Sequence, residues 1–323
     1  MCAQGTILSN CSIDALSRAA EKLRAGGLVA FPTETVYGLG ADATNAEAVA
    51  RIYQVKGRPS DHPVIVHLAD INQIDEWVAN IPDYAIALAR TFWPGPMTLI
   101  LPRSAKVGDF ITGGQESVGI RIPSNPLALQ LLKLAGVGVA APSANRFGAI
   151  SPTSALAVHE EIGAHLDSER DLILDGGSSE VGVESTIIES LGGAPKILRP
   201  GAITKEMIEE AIGLKVDESF SQVRASGTLE HHYAPRATVS LLDAENSAPI
   251  NAADSGFLAL AKFPTPTGTI RLGEPKDIEE YARILYDALR EGDRRGLSTI
   301  YVVPPNGEGV AVAIRDRLKR ASS

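Results

Sequence analysis

Two cations one residue apart, Lys56 and Arg58, begin a short loop rich in glycine and proline that ends at Pro63. A guanidinium can form paired hydrogen bonds to phosphate oxygens, whereas an ammonium acts as a compact point charge. The pair could therefore hold a polyphosphate. A solvated surface loop has the same composition, and for an isolated motif that alternative carries more weight.

Two further arginines occupy positions where contact with an anion would explain a positively charged residue. Arg121 lies in the apolar stretch 118–122, where burial of a guanidinium is costly unless it meets an anion, and an internal salt bridge is the equal alternative. Arg199 precedes a Pro-Gly pair and could reach phosphate or stabilise the end of a domain. The chain has a formal charge of −9, so these local cations indicate an anionic ligand, and a polyphosphate is the first candidate.

Hydroxyl and amide side chains accompany other apolar stretches. The segment 31–42 combines threonines with glycines that would let backbone approach a small ligand. Ser143 and Asn145 lie two apart after a predicted strand, so in extended backbone both side chains point to one side. Each segment alone is equally well explained as a structural turn. In open α/β sheets, ligands bind beyond the carboxyl ends of strands, which is where such segments would meet.

Common catalytic motifs are absent from the sequence. It has no phosphate-binding P-loop, no complete dinucleotide fingerprint and no Gly-x-Ser-x-Gly elbow. The histidines lack metal-ligand spacing, so no residue is predicted to bind a metal. His67 lies inside an apolar stretch and is by default a core histidine. Hydrolase triads and zinc enzymes are therefore disfavoured.

Composition limits the class of protein. The charge of −9 argues against a broad basic surface for RNA. The two cysteines, Cys2 and Cys11, are too few and too close to a terminus for a disulfide framework or a thiolate metal site, which fits a reducing compartment. We find neither a signal-peptide core nor an apolar run of about 20 residues. We expect a cytoplasmic protein without a membrane segment.

The elements that would position these groups alternate between short apolar stretches and amphipathic segments. Ser12 is a plausible N-cap for a helix over 13–23, with Ile13, Leu16, Ala20 and Leu23 on one face. Strands are predicted at 28–31, 64–68, 97–101, 118–122, 137–141, 172–175, 185–190 and 196–199, and helices at 46–55, 84–92 and 126–135. The alternation indicates an α/β fold, and the short spacing of the last strands indicates a mixed sheet.

The 323 residues exceed what one hydrophobic core usually serves, so two domains are expected. The stretch 218–237 is polar, small and aperiodic, as is typical of a linker. We therefore place one domain at 1–217 and a small α/β domain at 238–323. Within the latter we predict strands at 239–242, 257–260 and 299–303 and helices at 277–291 and 308–320.

Seven motifs, in order along residues 10–215, resemble those of the YrdC-type threonylcarbamoyl-AMP synthase family. They begin at Pro32 (PTETVYGL), Lys56 (KGRP), Pro94 (PGPMT), Arg121 (RIP), Pro142 (PSAN), Glu184 (ESTI) and Arg199 (RPG). The segment from His232 to Arg236 (HYAPR) and the extra domain resemble the long, two-domain form. The resemblance implies a YrdC-like twisted mixed sheet flanked by helices, plus a smaller Rossmann-like α/β domain.

The resemblance also implies an activity: synthesis of threonylcarbamoyl-AMP and pyrophosphate from L-threonine, bicarbonate or CO2, and ATP, with Mg²⁺ accompanying ATP. The product would pass to a threonylcarbamoyl transferase complex that modifies tRNA. The chain's own contact with tRNA would be weak or indirect.

Site residues follow from the matched motifs. A Lys-x-Arg and Ser-x-Asn signature, here Lys56, Arg58, Ser143 and Asn145, would handle the bicarbonate and triphosphate end. The resemblance assigns L-threonine to Thr35, His67, Arg121 and Ser185, with Arg121 pairing its carboxylate. It assigns ATP to Arg58, His62, Ser117, Ser143, Ser151 and Arg199, while Tyr233 of the linker would close over the pocket.

Two other functions are compatible with an α/β chain of this kind. A non-catalytic RNA-binding module is disfavoured by the negative charge. A carbamoyl hydrolase or transferase is disfavoured because the zinc-finger and acylphosphatase-like segments that accompany related domains in larger enzymes are missing.

Overall fold

The computed structural model describes residues 7–8, 12–228, 232–243 and 253–322. Within them, ten strands form one large sheet. They are β1 (Ile7–Leu8), β2 (Val29–Phe31), β3 (Gly38–Asp42), β4 (Ile65–His67), β5 (Met97–Pro102), β6 (Ser117–Arg121), β7 (Val139–Ala140), β8 (Leu172–Leu174), β9 (Thr186–Glu189) and β10 (Lys196–Arg199). Their order across the sheet is β1-β8-β2-β3-β7-β4-β6-β5-β9-β10.

The sheet is mixed, as predicted. β4 runs parallel to β6 and β5 parallel to β9, whereas β2 pairs antiparallel with β3, and β5 with β6. The β4–β6 pair fixes the site, because its register sets His67 opposite Arg121 at the carboxyl ends of both strands.

Helices cover the sheet: α1 (Ile13–Arg24), α2 (Ala46–Lys56), α3 (Asp83–Phe92), α4 (Asp109–Thr112), α5 (Pro126–Ala135), α6 (Ala155–Ile162) and α7 (Lys205–Ile212). The Ser12 hydroxyl caps α1 by accepting the Ala15 amide at 3.2 Å. Leu16 and Leu23 are buried as expected. The expectation for Ile13 was wrong: its side chain is 69% exposed, because the buried stripe of α1 begins two residues further along, at Ala15.

Strand β3 was not predicted, because its glycines are typical of a loop and the whole of 31–42 was interpreted as one. Glycine weakens a strand unless a neighbour approaches closely. A Cβ at Gly40 would lie 2.7 Å from Val139 and 2.9 Å from Phe31. Gly40 is therefore required by the packing around β3, and only 32–37 remains as a loop. Helices α6 and α7 were also missed.

A second sheet follows the linker. It consists of the parallel strands β11 (Thr238–Leu241), β12 (Ser255–Leu258), β13 (Ile270–Gly273) and β14 (Thr299–Val302), in the order β11-β14-β12-β13. Helices α8 (Ile278–Arg294) and α9 (Val310–Ala321) accompany it. The smaller α/β domain is thus confirmed, although β13 was not predicted. The boundaries 1–217, 218–237 and 238–323 stay a prediction.

One apolar cluster contains side chains from the parts of the chain on both sides of the linker. Val36 and Val183 of the first part pack in the same cluster as Tyr233, Tyr286 and Leu318. The linker tyrosine is therefore held between the two parts. Of the helices in the described ranges, none combines the length and apolar character needed to cross a membrane.

Candidate active site

A cavity lies where the loop 32–37, the ends of β4 and β6, and the linker meet. Its lining includes eight of the residues singled out from the sequence: Thr35, Arg58, His67, Arg121, Ser143, Ser185, Arg199 and Tyr233. Neighbouring strands bring together groups that are far apart in sequence, as expected at the carboxyl ends of strands. The cavity is therefore the candidate site for chemistry.

Lys56 does not line the cavity. It is the last residue of α2, which Gly57 ends in the left-handed conformation, and its side chain is buried. The ammonium donates to the backbone oxygen of Ser143 at 2.6 Å and to that of Asn145. Burial lowers the pKa of this amine well below its ordinary value. The placement makes Lys56 a support for the Ser-x-Asn turn rather than a point charge beside a ligand.

Four other predicted residues do not line the cavity. Asn145 donates through its amide to the backbone oxygens of Arg146 and Ala149, and Ser151 donates to Glu184 at 2.6 Å. The remaining two are His62, whose ring lies 5.4 Å from that of Phe147, and Ser117, buried at the start of β6. None of these four lines the cavity: Ser151 contacts its wall through Glu184, whereas Ser117 lies at the opposite end of β6 from Arg121.

Arg121 forms an internal salt bridge, which was one of its two predicted explanations. Its Nη2 donates to Glu34 Oε1 at 2.6 Å, and both side chains are buried. Its Nε, also buried, has no hydrogen-bond partner among the described residues. Because an unpaired buried donor is costly, this arrangement is prepared for one more acceptor. Glu34 was not singled out, although it stands in the first motif.

Arg58 and Arg199 lie side by side under the linker. Arg58 donates to the backbone oxygen of Pro63 at 2.8 Å and to the Ser226 hydroxyl at 3.2 Å, while its buried Nε has no partner in the described part of the chain. Arg199 donates to the backbone oxygens of Ser185 and Ser226. Burial lowers the pKa of Arg58 to about 10, which leaves it charged at neutral pH. Two cations held by neutral groups favour an anionic ligand.

The wall of the cavity also contains a carboxylate that sequence reasoning missed. Glu184 is buried and accepts hydrogen bonds from Ser151, Tyr286 and Arg317. Burial alone would raise its pKa, but the charges of Arg317 and Arg199 dominate and lower that pKa to about 2. Glu184 is therefore ionised at neutral pH.

The linker fills the mouth of the cavity with Ser226, Gly227, His232 and Tyr233. The remaining cavity volume is about 40 Å³, room for a few waters and far less than the several hundred Å³ of ordinary ligand sites. The linker is therefore in a closed position. Tyr233 of this segment is buried and has a backbone φ of 65°, unusual for a side chain of this size.

Two buried histidines predict a loss of stability in acid. Burial and, for His67, the charge of Arg121 lower the pKa of His67 and of His232 to about 3 each, from 6.5 in an unfolded chain. Between these values the unfolded chain binds more protons, so the free energy of unfolding falls as the pH falls. We expect a loss of about 2 kcal/mol per histidine between pH 7 and pH 5.

Urea unfolding of the wild type and of His67→Gln at both pH values measures this loss. The variant should lose less stability than the wild type over that interval. An identical loss in both proteins would refute the low pKa of His67.

Comparisons with known proteins give further findings. The Sua5, YciO and YrdC family model, described as telomere recombination, matches residues 21–201, and the model for the threonylcarbamoyl-AMP synthase C-terminal domain matches 203–323. A threonylcarbamoyl-AMP synthase of Pyrococcus abyssi is 39% identical over 94% of this chain and 93% of its own length. One from Bacillus subtilis is 40% identical over 95% of this chain and 92% of its own. The structure of P. abyssi Sua5 complexed with L-threonine superposes with a TM-score of 0.85 at 37% identity, covering 98% of this chain and 96% of that one.

Proposed function

The chain belongs to the Sua5/YrdC family of threonylcarbamoyl-AMP synthases, and from that premise we propose that its cavity joins L-threonine, bicarbonate and ATP into threonylcarbamoyl-AMP and pyrophosphate. One observation supports this site above all. In a chain of charge −9, three buried arginines, Arg58, Arg121 and Arg199, line one cavity. All three proposed substrates are anions or carry a carboxylate, so this concentration of positive charge fits them.

Threonine is proposed to bind at the β4–β6 end of the cavity. The unpartnered Nε of Arg121 can donate to the threonine carboxylate while Glu34 fixes the other side of the guanidinium. His67 is neutral near pH 7, so its imidazole does not compete for that carboxylate as a cation. Thr35 and Ser185 also line the cavity and are proposed to add hydroxyls that contact threonine.

ATP is proposed to bind with its phosphates between Arg58 and Arg199. Mg²⁺ would enter with ATP, since Mg²⁺ is usually held through substrate phosphates and waters. In the residues that the structure describes, no group of three or more His, Cys, Asp or Glu side chains could hold a metal ion. Charge neutralisation at the triphosphate is what the ion would supply.

The proposed reaction needs no covalent enzyme intermediate. The threonine amine attacks bicarbonate, or CO2 derived from it, and water is lost as the carbamate forms. A carbamate oxygen then attacks the α-phosphorus of ATP, and pyrophosphate leaves. The protein's part is to hold together three reactants that are anions or carry a carboxylate, so positioning and electrostatic stabilisation supply most of the rate.

The linker is proposed to open for substrates and close for reaction, because the closed cavity is too small for them. Gly227→Ala tests this step. A Cβ at Gly227 would lie 2.1 Å from the Tyr233 hydroxyl and 2.9 Å from Arg199 Nη1. We expect pyrophosphate release to fall at least about tenfold, because the collision misplaces both side chains.

Gly296→Ala is the matched control for Gly227→Ala. Both glycines have a positive φ, +74° and +67°, but nothing lies within 4 Å of a Cβ at Gly296. The positive φ should cost each variant about 1 kcal/mol of stability, the collision adds to that cost in Gly227→Ala, and only Gly227→Ala should lose activity. Equal activities in the two variants would contradict the closing role of the linker.

The activity itself is tested by measuring pyrophosphate release from ATP while L-threonine or bicarbonate is left out. Release that requires both co-substrates supports the synthase. Salt-dependent retention of tRNA without ATP turnover would instead support the RNA-binding alternative. Delivery of the product to a tRNA-modifying transferase complex and a cytoplasmic location stay predictions.

A further inference from the structure

Arg317 of α9 is buried, with 1% of its surface exposed, although it belongs to the small domain. Its Nε donates to Glu184 Oε2 at 2.7 Å, and its Nη2 donates to the backbone oxygen of Pro200 at 2.9 Å. Both partners belong to the first part of the chain, and Glu184 lines the cavity. A side chain of the small domain therefore reaches the wall of the candidate active site.

Tyr286 of α8 holds the same carboxylate. Its hydroxyl lies 2.9 Å from Glu184 Oε2 and 3.1 Å from Oε1. With Ser151 on Oε1, the Glu184 carboxylate is fully hydrogen-bonded. Such a network fixes a buried charge in one position.

The carboxylate would otherwise oppose the proposed chemistry. Glu184 shares the cavity wall with Arg199, and the charge of Arg199 already acts on Glu184. A buried carboxylate without Arg317 would take Arg199 as its counter-ion, since an unpaired buried charge is costly. Arg199 would then be withdrawn from the phosphates of ATP.

Arg317 also touches the linker. Its guanidinium carbon lies 5.2 Å from the centre of the Tyr233 ring, a cation–π distance. The Tyr233 ring in turn stacks on Tyr286 at 5.8 Å. The residues that hold Glu184 are thus the residues against which the linker closes.

We propose that Arg317 is a positioning residue of the synthase: it neutralises Glu184 so that Arg199 stays available to ATP, and it holds Tyr233 in the closed position. The inference rests on the proposed function and extends it to the small domain. It identifies a reason for the small domain to be packed against the cavity.

The test compares Arg317→Met with Arg317→Lys, and with Arg315→Met as a matched control. Arg315 lies on the same helix and donates to the backbone oxygens of Pro305 and Gly307, so its loss affects only the small domain. Asp316 keeps Arg320 as its partner in all three variants. The KM for ATP, the KM for threonine, kcat, thermal stability and the calorimetric affinity for ATP are measured for each.

We expect Arg317→Met to raise the KM for ATP at least about tenfold while the KM for threonine changes less than about threefold. The KM for ATP of Arg317→Lys should lie between those of the wild type and Arg317→Met, because an ammonium keeps the charge but not the paired donors of the planar guanidinium. In a Glu184→Gln background, Arg317→Met should raise the KM for ATP by a clearly smaller factor, since no carboxylate remains to capture Arg199 and only the contact with Tyr233 is lost. Arg315→Met should leave both KM values unchanged.

A milder variant, Tyr286→Phe, tests the same network in case Arg317→Met does not fold. Tyr286→Phe removes only the hydroxyl from Glu184 and retains the ring stack, and should raise the KM for ATP in the same direction by a smaller factor. The inference is overturned if Arg317→Met keeps a normal KM for ATP, or if its effect is the same with Gln at position 184. A wild type that binds ATP yet releases no pyrophosphate would contradict the proposed function alone, and the ATP affinities of the variants would still decide the role of Arg317. A wild type that binds no ATP would contradict both.

Discussion

Replacement of Arg58 by alanine is expected to lower the rate of pyrophosphate release by about a hundredfold, or about 3 kcal/mol of transition-state stabilisation. Arg58 lines the cavity, and its guanidinium is fixed by Pro63 and Ser226 while Nε lacks a partner among the described residues. Preorganised donors of this kind act most strongly where water is excluded. The loss should fall on kcat, because charge redistributes on the phosphates as the α-phosphorus is attacked.

Arg58→Lys separates charge from geometry. A lysine keeps the positive charge but loses the planar fork, so an intermediate rate is expected. Arg103→Ala is a suitable control, because Arg103 pairs with the exposed Asp109 and Glu116 away from the cavity. Normal pyrophosphate release by Arg58→Ala would remove Arg58 from the reaction.

Replacement of Arg121 by alanine is expected to have two separable effects. The KM for threonine should rise at least about a hundredfold, since the carboxylate loses its charged partner in a buried site. The free energy of unfolding should fall by about 3 to 5 kcal/mol, because Glu34 is left as a buried charge without its counter-ion. Chemical denaturation and steady-state kinetics measure the two effects independently.

The double variant Arg121→Ala with Glu34→Gln distinguishes binding from folding. Removal of the Glu34 charge should restore most of the stability but none of the threonine affinity. Glu34→Gln alone should retain measurable threonine binding, since Arg121 is still present. A double variant with a normal KM for threonine would show that Arg121 serves only the internal salt bridge.

Much of the cavity could be predicted from the sequence, since short motifs at strand ends identify residues that must meet. Arg58 was singled out on a loop rich in glycine and proline, and Arg121 and Arg199 in or beside apolar stretches of an acidic chain; all three line one cavity. The inward turn of Lys56 was not predictable in this way. It depends on where α2 ends and on which carbonyls lie beneath it.

The carboxylates could not be recognised from local sequence. A carboxylate beside a predicted anion site would repel the ligand unless a cation neutralises it. The cation that neutralises Glu184 is Arg317, 133 residues away in the sequence. Local patterns also hid β3, because the glycine at position 40 is explained by contacts with Val139 and Phe31 rather than by strand propensity. In both cases the missing information was a long-range contact.

The identity of the nucleotide product is the decisive measurement. The purified protein is supplied with ATP, L-threonine and isotopically labelled bicarbonate, and the nucleotides are analysed by mass spectrometry. We expect an adenylate that contains both threonine and the labelled carbon, formed together with pyrophosphate. An adenylate without the label, or ADP and phosphate in its place, would contradict a cavity that joins the three substrates.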